Sequence, residues 1–380
     1  MKKIMSIFGT RPEAIKMAPL VKAIEQAEDL ESMVVVTAQH REMLDQVLAL
    51  FEITPDYDLN LMKANQTLTD ITAGALRGLE RVIIKEKPDL VLVHGDTTTT
   101  FAASLGAYYQ QVPIGHVEAG LRSGNMYSPF PEEANRKLTG ALASLHFSPT
   151  AEARGNLLRE GVAPEKIFTT GNTVIDALLT TVNKQYAFED TEVDRLLAKD
   201  CKKVLITAHR RENQGQPMVN IFNAVKDLHE TLTDCEFIFP IHKNPRVRAL
   251  AQEILGDLER VHMIEPLDYA PFANAMNKVD LILTDSGGVQ EEAPALGKPV
   301  LVLRENTERP EAVEAGTVLL VGSDRQRIYD TALTLLTDEA AYAKMQQAIN
   351  PYGDGHACER IVKAIRYYLG CTAEKPEDWR

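Results

Sequence analysis

The fold is decided by the segment LILTDSGGVQEEA, residues 281–293, which passes from an apolar run through a glycine turn into a helical pattern. Its first four residues predict the end of a buried strand, and residues 289–296 predict the first turns of a helix. Gly287 and Gly288 let a ligand approach the backbone without a Cβ in the way, and Ser286 can cap the helix or donate to a phosphate oxygen. The segment is therefore either a phosphate-binding turn at a helix N-terminus or an ordinary capped βα turn.

Strand and helix patterns alternate along the whole chain, and hairpin signals are nearly absent. This alternation is typical of parallel, doubly wound sheets. The predicted strands are residues 4–8, 33–37, 89–94, 112–117, 145–148, 167–170, 202–208, 236–240, 261–264, 281–284, 299–303 and 317–321.

About twelve strands are more than one open sheet usually carries, so the sequence predicts an α/β protein of two Rossmann-like domains. The pattern restarts past residue 172, which places the boundary near residues 172–200. In such folds ligands bind beyond the carboxyl ends of the strands. We therefore expect the site in a deep cleft between the domains.

Composition narrows the class of protein. The formal net charge of −13 argues against general nucleic-acid binding, because a phosphate backbone requires a basic face. The first residues contain too short an apolar run for a signal peptide, and no run is long enough to span a membrane, so we expect a cytoplasmic protein. The four cysteines show neither metal-ligand spacing nor a disulfide framework.

Carboxylates follow two predicted strands in a repeated His-x-acid pattern, and a third acid lies in the segment PEEANR, residues 131–136. Asp96, Glu118 and Glu132 in one cleft would suit proton transfer at carbon, because a low-dielectric site raises the basicity of a carboxylate. Taken singly, each could instead be a helix cap or a surface acid. A metal site is the other alternative, since His94 and His116 precede two of these acids on the same strand face.

Basic side chains follow other strands. Residues 208–213 contain His209 and two arginines that suit a diphosphate, although an ion pair with Glu212 is the alternative. Arg11 and Lys16 add positive charge after the first strand. An acidic protein with such a pocket is typical of a small phosphorylated-ligand binder.

Six motifs in order resemble the non-hydrolysing bacterial UDP-N-acetylglucosamine 2-epimerases. They are FGTRPEAIK (8–16), TAQHR (37–41), VHGDT (93–97), GHVEAGLR (115–122), PEEANR (131–136) and DSGG (285–288). With NPYGDG at 350–355, the resemblance covers essentially the whole chain.

The resemblance implies a GT-B-type fold of two domains. The first comprises residues 1–172 plus a C-terminal helix at 353–380, and the second comprises residues 173–352. It implies reversible conversion of UDP-GlcNAc to UDP-ManNAc, through elimination of UDP to a 2-acetamidoglucal and re-addition, supplying ManNAc for cell-surface polysaccharide. It further implies a homodimer and no metal or nicotinamide cofactor. The net charge and the short apolar runs predict no nucleic-acid or membrane partner.

The resemblance also assigns site residues by motif. The catalytic group is Asp96, Glu118, Glu132 and His209. The UDP contacts are Arg11, Lys16, Phe272, Ser286, Gly287, Gly288, Glu292 and Arg309. A second UDP-GlcNAc is expected as an activator at Gln39, His40, Gln66, Arg210 and His242. The chain departs from some relatives at Leu267, where a glutamine is expected.

Two alternatives stay open at this stage. A GT-B glycosyltransferase or hydrolysing relative would accumulate a glycosylated acceptor or free sugar. A non-catalytic sugar-nucleotide sensor would bind UDP-GlcNAc without turnover, although binding alone requires none of the three carboxylate motifs.

Overall fold

The computed structural model describes residues 1–38, 41–62 and 66–379. The chain divides into two compact units, Met1–Ala177 with Tyr352–Arg380 and Leu178–Pro351. The boundaries therefore fall after Ala177 and Pro351, compared with the predicted positions after residues 172 and 352. Within the described ranges, no helix is both long and apolar enough to cross a membrane.

The first unit is built on a parallel sheet. Its strands are β1 (Lys2–Phe8), β2 (Leu30–Val36), β3 (Tyr57–Asp58), β4 (Leu90–His94), β5 (Ile114–Val117), β6 (Leu145–Ser148) and β7 (Ile167–Thr169). Its helices begin with α1 (Arg11–Glu25), α2 (Arg41–Leu50), α3 (Leu68–Glu86), α4 (Thr98–Tyr109), α5 (Glu132–Leu142) and α6 (Ala151–Arg159). Helix α7 (Thr173–Thr181) runs through the first boundary.

The second unit repeats this plan. Its strands are β8 (Lys202–Thr207), β9 (Cys235–Pro240), β10 (Val261–Ile264), β11 (Leu281–Thr284), β12 (Val300–Val302) and β13 (Val318–Leu320). Its helices are α8 (Thr191–Leu197), α9 (Gln216–Thr231), α10 (Pro245–Leu255), α11 (Tyr269–Lys278), α12 (Gly287–Glu292), α13 (Pro310–Glu314), α14 (Arg325–Thr337) and α15 (Glu339–Gln346).

The strand order places a switch point in each sheet. The first sheet runs β3-β2-β1-β4-β5-β6-β7 and the second β10-β9-β8-β11-β12-β13, and the pairings are parallel. The order reverses between β1 and β4, and again between β8 and β11, where a crevice forms beyond the strand ends. The prediction of two doubly wound parallel α/β domains is confirmed.

Helices cover both faces of each sheet, so the central strands are buried on both sides and consist of continuous apolar runs. The buried strand residues of the first unit include Val91, Val93 and Phe147. Those of the second unit include Ile206, Phe237 and Leu283. Polar caps set the helix starts. Thr67 accepts from Asp70 N–H at 3.1 Å and Thr97 accepts from Thr100 N–H at 3.1 Å, which fixes the first turns of α3 and α4.

The last helix, α16 (Ala357–Tyr368), packs against α1 in the first unit. Asp176 in α7 accepts hydrogen bonds from the N–H groups of Ala357 at 3.2 Å and Cys358 at 2.8 Å. A buried carboxylate therefore satisfies the free donors at the start of α16. The predicted helix over residues 353–380 is too long, because α16 ends at Tyr368 and Gly370 follows in a left-handed conformation.

One further prediction of secondary structure is wrong in its bounds, and one helix was not predicted. The helix predicted over residues 289–296 begins earlier, at Gly287, and ends at Glu292, where a 3-10 turn (Ala293–Leu296) follows. Pro294 lacks the N–H that would continue the helix. The sequence pattern also missed α5, which follows the proline-flanked loop at residues 129–131.

Gly120 gives a test of close packing in the first unit. A Cβ there would lie 2.2 Å from the Ala153 carbonyl oxygen and 3.0 Å from Leu157 Cγ, and its φ is +94°. We expect Gly120→Ala to lower the free energy of unfolding by about 3 kcal/mol or more, from overpacking and backbone strain together. Chemical denaturation measures this loss.

Gly124→Ala is the matched control. Its φ is +78°, but a Cβ there would meet no atom of the described residues within 4 Å. The control should lose only about 1 kcal/mol from backbone strain. Equal losses in the two variants would show that the contact with Ala153 does not constrain this loop.

Candidate functional site

Glu118 is the most strongly held of the predicted catalytic acids. It follows β5 with a left-handed backbone, φ 61°, that a non-glycine residue rarely adopts without a reason. Its Oε2 forms a close ion pair with Lys16 Nζ, accepts from Asn172 Nδ2 at 2.9 Å, and lies 3.8 Å from His94 Nε2. Lys16, predicted as a UDP contact, therefore contacts a carboxylate in this structure.

Burial alone would raise the pKa of the Glu118 carboxyl, but Lys16 outweighs it and holds that pKa well below its ordinary value. Burial lowers the pKa of His94 to about 4, so this imidazole is neutral at neutral pH. Lys16 is thus the positive partner of Glu118, and Asn172 adds a neutral donor to the same oxygen.

Asp96 follows β4 and is held by helix α5. Its Oδ2 lies 2.6 Å from Arg136 Nη2, and its carbonyl oxygen accepts from Asn135 Nδ2 at 2.9 Å. Glu132 is the first residue of α5 and is half-buried. One helix therefore brings the third predicted acid and the cationic partner of Asp96 to the same edge of the sheet.

Glu13, in α1, links the segments that follow β1 and β4. Its Oε2 accepts from the N–H groups of Gly9 at 3.0 Å and Thr10 at 2.7 Å, and its Oε1 accepts from the hydroxyls of Thr97 at 2.6 Å and Thr100 at 3.1 Å. Burial raises the pKa of Glu13, while these bonds oppose the rise. The carboxylate ties the start of α1 to the start of α4, on which Arg11 and Asp96 depend for position.

The metal-site alternative does not fit this geometry. Glu118 is paired with Lys16, Asp96 with Arg136, and His116 Nε2 lies 2.7 Å from the Gly95 carbonyl oxygen. Across residues 1–38, 41–62 and 66–379, no group of three or more His, Cys, Asp or Glu side chains is arranged to hold a metal ion. Glu118 and Asp96 each form an ion pair with a side-chain cation instead.

The DSGG turn of the second unit faces two arginines. Gly287 is the first residue of α12. A Cβ atom on Gly287 would lie 3.7 Å from Arg309 Nη2 and 3.9 Å from Arg210 Nη2. Arg309 Nε donates to Glu291 Oε1 at 2.5 Å, which fixes the guanidinium beside the turn. Ser286 occupies the N-cap, although its side chain makes no capping bond to the described residues. This arrangement suits a diphosphate.

A cavity of about 250 Å³ opens next to this turn. It brings together the predicted UDP contacts Phe272, Ser286, Gly288 and Glu292 with His209 and His242, and Leu267 is also part of its wall. Its lining therefore combines an aromatic ring with the glycine turn.

The predicted activator residues are only partly described. Gln39 and His40 lie outside the described residues. Gln66 belongs to the first unit, where its Nε2 donates to the Leu61 carbonyl oxygen at 2.8 Å. Arg210 and His242 belong to the second unit.

Sequence reasoning did not identify the side chains that pair with the predicted catalytic acids and with the arginine of the second unit. Arg136 was visible within the PEEANR motif, three residues after Glu133, a spacing that places both on one face of a helix. Glu13 lies three residues after Thr10, a local capping-box spacing that the sequence could have shown. Asn172 and Glu291 gave no such signal, because Glu118 and Arg309 are distant from them in the chain.

Known proteins resemble this chain over nearly its whole length. The family model described as UDP-N-acetylglucosamine 2-epimerase matches residues 22–366. The UDP-N-acetylglucosamine 2-epimerase of Bacillus subtilis is 56% identical over 377 residues, which cover 99% of this chain and 98% of that protein. The chain belongs to the UDP-N-acetylglucosamine 2-epimerase family.

Solved structures agree with this membership. Staphylococcus aureus MnaA, solved with UDP, is 57% identical with a TM-score of 0.89, and the match covers 100% of both chains. The UDP-GlcNAc 2-epimerase of Neisseria meningitidis, solved with UDP-GlcNAc, is 51% identical with a TM-score of 0.83, covering 96% of this chain and 99% of that one. The predicted GT-B-type fold class and the predicted epimerase class of enzyme are confirmed.

Three buried histidines of the first unit make its stability depend on pH. Burial lowers the pKa of His94 to about 4, of His116 to about 3 and of His146 to about 4. In the unfolded chain these groups titrate near pH 6.5, so the unfolded state binds protons first as the pH falls. Their contribution is therefore complete above about pH 6.5 and is lost between there and about pH 3.

We expect His146→Gln to remove up to about 2 kcal/mol of the stability loss between pH 6.5 and pH 5. Denaturant unfolding at several pH values measures this difference. The wild-type curve is the reference. If His146→Gln followed that curve unchanged, burial of a neutral His146 would not contribute to acid sensitivity.

Proposed function

We propose that this chain interconverts UDP-GlcNAc and UDP-ManNAc by eliminating UDP across C-1 and C-2 and adding it back. The observation that supports the proposal is the pair of carboxylates Asp96 and Glu118 at the ends of adjacent strands β4 and β5, each held by a cation. The Neisseria meningitidis relative, solved with UDP-GlcNAc, supports the choice of substrate.

In this proposal the second unit holds the nucleotide. The uracil would lie against Phe272 in the 250 Å³ cavity, with the diphosphate at the Gly287 turn beside Arg210 and Arg309. A glycine turn at a helix start presents backbone N–H groups, and two guanidinium groups add charge and hydrogen bonds. These groups stabilise the negative charge that develops on UDP as it leaves.

The chemistry assigned to the first unit is proton exchange at C-2. A base removes the C-2 proton, the C–H electron pair forms the C-1=C-2 double bond, and the C-1–O electron pair leaves with UDP. Protonation of the opposite face of C-2 and return of the UDP oxygen to C-1 complete the inversion. The C-2 hydrogen is not next to a carbonyl, so departure of a strong leaving group must assist its removal.

Exchange at both ring faces requires more than one acid or base, and Asp96, Glu118 and Glu132 supply three carboxylates. Lys16 and Asn172 keep Glu118 ionised in the free protein, so this side chain is available as a base or as a fixed negative charge. No step of this elimination and re-addition transfers a hydride, so we propose that the reaction needs no nicotinamide.

Isotope exchange tests this proposal. Protein incubated with UDP-GlcNAc in deuterated water, with a metal chelator present, should place deuterium at C-2 of both epimers, as measured by NMR. Asp96→Asn and Glu118→Gln should reduce the labelling rate at least 100-fold, because each removes a group from proton transfer. Calorimetric UDP binding should be largely retained in both variants.

Glu152→Gln is the control, since Glu152 is an exposed acid on α6 paired with Arg159. Its labelling rate should equal that of the wild type. Absence of deuterium in either epimer with the wild-type protein would contradict the proposal. Accumulation of free sugar instead would identify a hydrolysing relative, and binding without turnover would identify a sensor.

A further inference from the structure

Asp285 joins two strand ends in the second unit. It follows β11 and is fully buried. Its Oδ2 accepts from the N–H groups of His209 and Arg210, each at 2.8 Å, and from Asn213 Nδ2 at 3.1 Å. Three donors on one carboxylate oxygen fix the loop after β8 against the end of β11.

The other oxygen of Asp285 has a different neighbour. Oδ1 lies 3.3 Å from His209 Nδ1, and within the described ranges it accepts no hydrogen bond. A buried carboxylate oxygen without a donor is costly, and a small rotation of the imidazole would let Nδ1–H supply one. The burial of Asp285 therefore favours a hydrogen atom on Nδ1 of His209.

We propose that Asp285 is a positioning residue for His209, which holds the imidazole hydrogen on Nδ1 and leaves Nε2 to act in the nucleotide cavity. His209 forms part of the cavity wall, so Nε2, on the far side of the ring from Asp285, is the nitrogen available to a ligand. This inference rests on the proposed function, in which Nε2 takes up a proton and the resulting imidazolium, stabilised by the negative charge of Asp285, donates to the departing diphosphate.

The other charged groups around His209 act against its protonation. Its ring stacks on His242, with centroids 5.3 Å apart and planes inclined by 11°, and Arg210 is the next residue. Burial lowers the pKa of His209, and His242 and Arg210 lower it further, whereas Asp285 opposes the fall. Glu292 supplies a carboxylate to the wall of the cavity.

The hydrogen-bonding partner of His242 distinguishes the two stacked rings. His242 Nδ1 accepts from Asn244 N–H at 3.1 Å, so neutral His242 carries its hydrogen on Nε2. His209 would carry its hydrogen on Nδ1. The two rings are therefore expected in opposite tautomers, which ¹⁵N NMR can distinguish.

Asp285→Asn provides the decisive variant. The amide oxygen can still accept from the three donors now bound to Oδ2, while the amide N–H would face His209 Nδ1 and force the hydrogen to Nε2. We expect ¹⁵N-histidine NMR of the ligand-free protein to show Nδ1–H at His209 in the wild type and Nε2–H in the variant. The His209 pKa should fall when the negative charge is removed.

Asn213→Ala is the matched control, because it removes one donor to Oδ2 and leaves Oδ1 unchanged. Its His209 should keep the Nδ1–H tautomer. His209→Gln assigns the NMR signal. A wild-type Nε2–H tautomer, or the same tautomer and pKa in Asp285→Asn, would overturn the proposal, and the wild-type spectrum decides even if the variant fails to fold.

Kinetics test the link to the reaction. Asp285→Asn should lower the C-2 exchange rate at least tenfold and move the pH profile to lower pH. In a His209→Gln background the same change should cost little further, because Asp285 acts through the imidazole. Full additivity would show a separate role for Asp285. If the wild type exchanged no proton at C-2, the proposed function would fail while the NMR result for Asp285 still stood.

Discussion

A buried carboxylate at the end of a parallel strand must find donors or a cation, and both units depend on this constraint. In the first unit Glu13 accepts from groups after β1 and β4, and Glu118 is satisfied by Lys16 and Asn172. In the second unit Asp285 accepts from the loop after β8. Each carboxylate ties elements that are distant in sequence, so the functional loops are held at the switch points of the sheets.

This constraint explains why the two units present different chemistry on the same architecture. The first unit pairs two acids with two cations, so its strand ends carry carboxylates that are each held by a positively charged side chain. The second unit uses its buried acids to fix backbone and arginines, so its strand ends present donors. The proposed reaction requires both kinds of surface, one to exchange a proton and one to hold the leaving diphosphate.

Much of the fold could be predicted from the sequence, because apolar runs and glycine turns are local signals. The strand at Leu281–Thr284 and the turn at Gly287 follow from their own residues. Helix α5 could not be found in this way, since its start lies behind two prolines and its burial depends on contacts with Asp96 and Ser123. The motif resemblance identified the family, which the comparisons confirm.

The alternation of strand and helix, the two-domain α/β class and the motifs of the family resemblance all follow from the order of the residues. Which side chains contact one another follows only from how the chain folds. Lys16 lies 102 residues from Glu118, Asp285 lies 76 residues from His209, and Arg136 reaches Asp96 through a helix the pattern did not reveal. Hydrophobic periodicity depends on neighbours along the chain, whereas the charge state of a buried acid depends on partners that only folding brings close.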